Sequence, residues 1–543
     1  MFIYTGTAVG LADSAWSGPA ESFHECVGID FRSTPGIIQA QQRLVRLTTL
    51  SSPSASASLS QSPSASTSVS PSSSLSPSAS TSLSPSASLS PSASASGSPS
   101  ASLSPSASRS PSASVSASTG TVEVDEFIKV AVAASNGYSF WFSSTSGKIW
   151  AVTSGDVVTL AYTTVPGAGS AGCLGAIEYN GYIYWATQSR LHRIAIADAD
   201  GQWLNVVYNW ATFTVTDSTY HPMCIQQSAT GPELFIGDGY LVAGVDHNGT
   251  FRASILDIAT PHRISAMAPY ELDVVIGTYV SDNVNRASMI RWDTVSTAWN
   301  IDDPIEESGI NAFMRDDNYL YVNAGKVGRW YYYDGQKLQP LSRVPGTFSS
   351  SSTGVVYPYS VGNYNGVPIF GFSNEAGNPA PQGIYSLGGY SSSYPKALSL
   401  DWVISEAVTS GVQIGAILVL DGIIKVAWTD GTDNGIDKLD TTTKYNGAYF
   451  TTKKLFIENR EDMKTLGEVA AYYDSLPSST GITFSYKVNG GSYVAMTSVT
   501  NTTINQVRAQ LSVPEIGSLQ VKVALTTSSN NSPTIEAVAV TMR

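Results

Sequence analysis

The side chains in this sequence best able to do chemistry are its histidines, cysteines and paired carboxylates, and their spacing limits what that chemistry could be. The five histidines, His24, His192, His221, His247 and His262, stand at least 15 residues apart, so no HExxH or HxxxH zinc spacing exists along the chain. Each reads first as a strand or loop histidine. Cys26, Cys173 and Cys224 form neither a disulfide framework nor a CxxC knuckle and read as small buried hydrophobes. In His24-Glu25-Cys26, neighbours on an extended chain point to opposite faces, which keeps the base away from the thiol.

Glycoside hydrolysis needs two carboxylates facing each other across a sugar, and the pairs Asp302-Asp303, Glu306-Glu307 and Asp316-Asp317 are the candidates. Grouped around one connection between repeats, they read as a solvated acidic loop. The sialidase Asp-box, S-x-D-x-G-x-T-W, finds its nearest match in Ser135-Asn136-Gly137, which lacks the aspartate. Asp430 to Asp437 imitates the start of a calcium loop, but Thr441 stands where the twelfth-position glutamate belongs, so the stretch reads as a hairpin turn. Trp330-Tyr331-Tyr332-Tyr333 is the densest aromatic group and could stack on a sugar, although alternate members of a strand face opposite sides. No P-loop or dinucleotide glycine pattern occurs in a strand-to-helix setting. The expectation is a chain with no catalytic, cofactor-binding or metal-ligating residue and no cofactor.

The elements that would position these residues are strands. Downstream of Val122, apolar and aromatic runs alternate with Asn-Gly, Asp-Gly and Ser-Gly turns, and helical periodicity is almost absent. One unit runs Leu174 to Tyr179, Asn180-Gly181, Tyr182 to Ala186, Ser189 to Ile194 and Trp203 to Trp210. Its order returns from Ile264, Ile310 and Ile414, and more faintly near Ile128, His221 and Val355. Seven units of three or four short strands predict a seven-bladed β-propeller over roughly 122–444. The lone Trp292-Asp293 pair has no Gly-His partner and is no WD40 mark. From Tyr445 the repeat stops, and about seven further strands, with a hairpin signal at Asn489-Gly490-Gly491, predict an antiparallel β-sandwich of jelly-roll or immunoglobulin-like type. The fold class is therefore all-β.

Residues 51–118 form a Ser, Pro and Ala tract with eight Ser-Pro-Ser-Ala-Ser units and one charge, Arg109. Its composition cannot supply a packed core and predicts a disordered insertion, with a coil span of roughly 45 Å. The predicted organisation is an N-terminal arm at 1–50, the insertion at 51–118, the propeller at 119–444 and the sandwich at 445–543. The arm has too few apolar residues for a core of its own, so it should dock on the propeller or on a neighbouring subunit.

Charged residues make up 13% of the chain with a net charge of −13, and no Lys/Arg run appears, which argues against nucleic acid as a partner. The opening MFIYTGTAVGLADSAW has neither a basic leader nor a continuous apolar core, and no run of 18 apolar residues follows. The expectation is synthesis in the cytoplasm and no membrane insertion.

Ser22-Phe23, then Gly28-Ile29-Asp30-Phe31-Arg32-Ser33-Thr34-Pro35-Gly36, then Gln41-Gln42, resembles the N-terminal arm of a family of tailed-bacteriophage virion proteins. In that family a G-I-D-x-R-S-x-P-G stretch precedes a β-propeller and a distal sandwich. Asn136-Gly137 with Gly147-Lys148-Ile149-Trp150 is similar to its opening blade, and Lys464-Thr465-Leu466 with Ser532-Pro533-Thr534-Ile535 is similar to its sandwich. The resemblance implies a non-enzymatic structural protein of the virion, at the tail or adsorption apparatus. It implies other virion proteins or further copies as partners, a host-surface glycan or protein as a contact, and assembly in the host cytoplasm. Two other readings fit the composition: a secreted glycan-binding propeller with a Ser/Pro stalk, and a propeller glycoside hydrolase or lyase.

Overall fold

Strands that are apolar on both faces, such as Tyr182–Thr187, which is buried almost throughout, need cover on two sides, and radial stacking of sheets provides it. The computed structural model describes residues 2–5, 23–30, 32–33, 37–47, 53–54, 118–119, 124–162, 172–280, 284–316, 319–344, 354–374, 382–388, 397–404, 411–452, 454–456, 464–500 and 506–542. Among them the only helical element is a single 3-10 turn at Ile196–Asp198. Seven four-stranded antiparallel units follow one another in the predicted order, with innermost strands starting at Ile128, Gly175, Met223, Arg263, Ile310, Gly354 and Gln413. The innermost strand of blade 7, Gln413–Leu420, packs against that of blade 1, Ile128–Ala133, so the ring closes. Within blades, tight turns such as Asn180-Gly181, with φ of 48° and 78°, take the left-handed conformation that a two-residue hairpin requires.

The head supplies five strands, β1 (Phe2–Thr5), β2 (Phe23–Val27), β3 (Ile29–Asp30), β4 (Gln39–Ala40) and β5 (Gln42–Arg46). They are divided between both domains. β5 pairs antiparallel with Asn434–Lys444 and is the outermost strand of blade 7, which has only three strands from its own stretch of sequence. Leu44 at its centre is 3% exposed and packs with Ile369, Trp402 and Leu439. The connection 48–123 therefore occupies the place of the link from blade 7 to blade 1. Its two ends meet, because Leu47 and Val124 are buried in one cluster with Trp141 and Trp150. The predicted disorder of 51–118 falls outside the described residues, apart from the short pairing of Pro53–Ser54 with Ser118–Thr119.

The sandwich has one sheet ordered β1, Ile535–Met542, Lys464–Tyr473, Gln506–Ile516. The other runs β2, Tyr449–Thr452, Ser518–Thr526, Gly481–Val488, Val494–Val499. The second and fifth sandwich strands thus share a sheet and the third and sixth share the other, which is the immunoglobulin Greek-key core, with the first and last strands exchanged between sheets. β2 also makes a parallel pairing, Val27 to Leu400, with the outer strand of blade 6, so one continuous sheet runs from propeller to sandwich.

Candidate functional site

The innermost strand of blade 6 is broken into Gly354–Val355 and Val361–Tyr364, and the break sends Tyr357-Pro358-Tyr359 into the channel that the innermost strands enclose. Pro358 within an apolar run is the sequence signal for such a break, since proline cannot donate to a ladder. Tyr359 reaches from blade 6 across the axis. Its carbonyl accepts the Ile417 amide of blade 7 at 2.9 Å, and its hydroxyl accepts the Ala176 amide of blade 2 at 3.2 Å. Gly175 gives it room: a β-carbon there would stand 2.9 Å from the Tyr359 hydroxyl and 1.8 Å from the His221 carbonyl oxygen. Tyr359 therefore plugs the channel. Tyr359→Phe keeps the ring but strips the Ala176 amide of its acceptor, and thermal unfolding should show a loss of about 1–2 kcal/mol.

On one side of the plug lies a cup of about 720 Å³, lined by loops and strand ends of blades 3 to 7. Asp217 and Arg263 form a two-bonded pair in its wall, at 2.9 and 3.1 Å, and these bonds hold the Asp217 carboxyl below its ordinary range. Tyr220, 39% exposed, meets Tyr279 edge-on at 5.9 Å, and Tyr279 shares a 2.8 Å hydroxyl contact with Thr219. Tyr357 donates its hydroxyl to Gln413 Oε1 at 3.1 Å. The Lys326 ammonium has no carboxylate partner among the described residues.

A second cavity, of about 490 Å³, lies where the arm crosses blade 6. Here the G-I-D-x-R-S stretch has a structural job. Asp30 Oδ1 accepts the amides of Arg32 and Ser33 at 3.0 and 2.9 Å, which turns the chain so that Arg32 Nη1 reaches the Gly388 carbonyl at 3.3 Å. Gly28 has φ +61°, and a β-carbon there would strike the Tyr445 ring at 2.4 Å. Asp401, buried below Arg32, accepts hydrogen bonds from Ser386 at 2.6 Å and from Ser399. Burial pushes its carboxyl up to about 6, against the opposing pull of Arg32 and the two serines. A carboxyl raised in the folded state binds its proton more readily there than in the unfolded chain, so its contribution to stability grows as pH falls from 7 towards 5. Urea midpoints across that range should show this slope in the natural protein and lose it in Asp401→Asn.

The residues singled out by sequence are not gathered into either cavity, and most are absorbed by packing. His192 is buried against Trp185 at 5.3 Å and accepts the Asn209 amide; burial, with Arg190 nearby, pushes its pKa down to about 4. The His221 ring stacks on Phe213 at 4.2 Å between the carbonyls of Gly237 and Gln188. His262 meets the Thr278 hydroxyl at 3.1 Å, and His247 is exposed on a turn. The side chain of His24 lies outside the described residues. All three cysteines are buried, and burial pushes Cys173 and Cys224 up to about 12, which removes thiolate character.

The expected acidic loop is not one loop. Asp302 and Asp303 sit inside the outer strand of blade 4, Ile301–Ile305. Glu307 accepts the Tyr331 hydroxyl at 3.2 Å and faces Arg329 at 3.4 Å, while Asp316 takes the Tyr321 hydroxyl at 2.8 Å. Glu306 is exposed, and Asp317 lies outside the described residues. Strand Ile310–Arg315 separates Glu307 from Asp316 by roughly 20 Å, too far to share a sugar bond. Asp430 caps the amides of Thr432 and Asp433 at 2.8 and 2.7 Å, and Asp437 holds the Trp428 indole at 2.9 Å, so these two aspartates serve a hairpin. In Trp330–Tyr333, Trp330 and Tyr332 pack with blade 6, Tyr331 and Tyr333 with blade 4. Asn136 is a turn residue bonded to the Ile196 and Ala199 carbonyls.

These features define a β-propeller protein with an appended sandwich. Neither a family model nor a curated protein matches the chain. Among solved structures it is similar to the extracellular domain of a putative hybrid two-component system from B. thetaiotaomicron, at 12% identity and TM-score 0.41, over 66% of this chain and 42% of that one. The chain thus spans less than half the length of that domain. It is similar to virginiamycin B lyase from Staphylococcus aureus at 12% identity and TM-score 0.39, over 58% of this chain and 95% of the lyase. The WD40 domain of Neurospora crassa Pan2 matches at 9% identity and TM-score 0.38, over 59% and 90%.

Proposed function

We propose that this chain is a non-enzymatic structural protein of a tailed-bacteriophage virion, in the tail or adsorption apparatus. The observation that carries the reading is the fate of its reactive side chains: the described histidines, cysteines and carboxylates serve cores, turns and strand junctions rather than one reacting centre. The arm that resembles the virion family supports it, since Asp30 and Arg32 use that stretch to fasten propeller to sandwich. A fastened two-domain body suits a role in which surfaces are held for neighbouring virion proteins, for further copies of the chain and for the host surface. The chain assembles in the host cytoplasm, needs no cofactor and takes no nucleic acid, in keeping with its net charge of −13.

Mass spectrometry of purified particles tests this. The chain should be present at stoichiometric abundance. Its absence from particles, with recovery from the host envelope or medium, would favour a secreted glycan-binding propeller instead.

A further inference from the structure

We infer that the cup on the propeller channel binds a carboxylate-bearing saccharide. The inference rests on the virion reading only for the source of the sugar, a host surface.

The cup's lining is chemically suited to a sugar. An apolar pocket would exclude hydroxyl groups, whereas here aromatic rings alternate with amides, hydroxyls and charges. Tyr220 and Tyr279 offer ring surface for the C–H face of a pyranose. Several polar groups have one valence used and another left over. Asn311 spends its amide hydrogens on Asn323 Oδ1 at 2.9 Å and the Gly325 carbonyl at 2.8 Å, which leaves its oxygen to accept. Gln413 spends its oxygen on Tyr357, which leaves its amide nitrogen to donate. Each half-used group is fixed in place by the bond it already makes, so a ligand meets positioned partners.

The charge of the cup decides which saccharide. The protein carries a net −13, yet the lining has Arg263 and Lys326 against Asp217 alone. Asp217 is already satisfied by Arg263, so Lys326 is the uncompensated charge. A second ammonium stands at the floor: Lys129 Nζ lies 4.5 Å from the centroid of the Tyr357 ring and 5.6 Å from that of Phe127. Glu307 approaches Gly325 from outside the lining and is occupied by Tyr331 and Arg329. A positive cup in an acidic protein favours an anionic ligand, and a ring carboxylate, as in a uronic or sialic acid, places that anion among hydroxyls.

Isothermal titration of the full chain with tetragalacturonate and with an oligomer of sialic acid tests this, with maltotetraose as the neutral control. At least one acidic oligomer should bind at millimolar affinity or tighter, and more tightly than maltotetraose. Lys326→Ala should weaken that binding about tenfold, and Gln413→Ala should weaken it without selecting between acidic and neutral sugars. Binding of neither acidic oligomer, equal binding of acidic and neutral sugars, or unchanged affinity in Lys326→Ala would overturn the inference. A chain that is abundant in particles but silent with the acidic sugars removes the cup's role alone. A chain that binds them but is missing from particles removes the virion reading alone.

Discussion

A chain lacking residues 1–47 should fail to reach a cooperative folded state, while a chain lacking residues 51–118 should fold and unfold much as the full protein does. The contrast follows from where each segment's hydrogen bonds go. Without the arm, Asn434–Lys444 becomes a bare edge, and the core beside it loses Leu44. The sandwich loses β1 from one sheet and β2 from the other, and its core loses Cys26, Ile29, Ile38 and Ala40, all essentially inaccessible to solvent. Several such losses together exceed the 5–15 kcal/mol by which an ordinary domain is stable. Leu44→Ala is the graded version, and at a fully enclosed site it should cost about 3 kcal/mol. Excising 51–118 instead shortens the link between Leu47 and Val124 from 76 residues to 8. Loop closure then becomes easier by roughly 2 kcal/mol, from about three halvings of length. Differential scanning calorimetry of the two truncations decides the matter: a sharp transition for the arm-less chain, or none for the tract-less one, would refute this account.

Asp156→Asn should be the most damaging single charge change. Asp156 stands in a turn of blade 1 and takes Lys425 Nζ on one carboxylate oxygen and Lys438 Nζ on the other, each at 2.7 Å, so it ties blade 1 to blade 7. The Lys425 side chain is 7% exposed. Removing the carboxylate leaves one buried and one half-buried ammonium without a partner, at a cost of about 3 kcal/mol. Asparagine is the informative replacement because the residue has φ +64°, which asparagine tolerates, so the turn survives and only the charge is lost. Lys425→Met added to Asp156→Asn should recover much of the loss, which a purely conformational effect would not allow. Burial alone would raise the Asp156 carboxyl, but the two lysines outweigh it and hold it below its ordinary value. Such a lowered carboxyl contributes fully above the unfolded-chain value near pH 4 and loses that contribution as the solution is acidified further. The gap between the natural protein and the variant should therefore close in acid.

Much of this architecture is legible from residue order. Seven copies of one strand pattern identify the blades because each blade solves the same burial problem, and Asn489-Gly490 marks its hairpin with φ of 48° and 79°. The sandwich topology is not legible, since alternation shows which face a strand buries but not which strand lies beside it. The missing fourth strand of blade 7 is hidden for a similar reason: Gln42–Arg46 lies nearly 400 residues from its partner, and no local pattern reports so distant a pairing. Reactive residue types were a poor guide to the cup. His192, His221 and the cysteines were visible and turned out to be packing, whereas Lys326, Gln413, Asn311 and Tyr359 are ordinary residues that matter through where the blades carry them. Pro358 was the one local hint.

The arm also sets a timetable. Phe2 is hydrogen-bonded in register with Val540, so the first strand made must wait for the last. At 5–20 residues per second, roughly half a minute to nearly two minutes of synthesis passes before that partner leaves the ribosome. Until then the ring lacks its final blade edge and the sandwich lacks both arm strands. A prematurely terminated chain can form blades but cannot seat its own beginning, so a sealed ring with a seated arm certifies that the whole message was translated. The N-terminal staple thus works as an inspection step at the end of synthesis, applied by hydrogen-bond geometry alone.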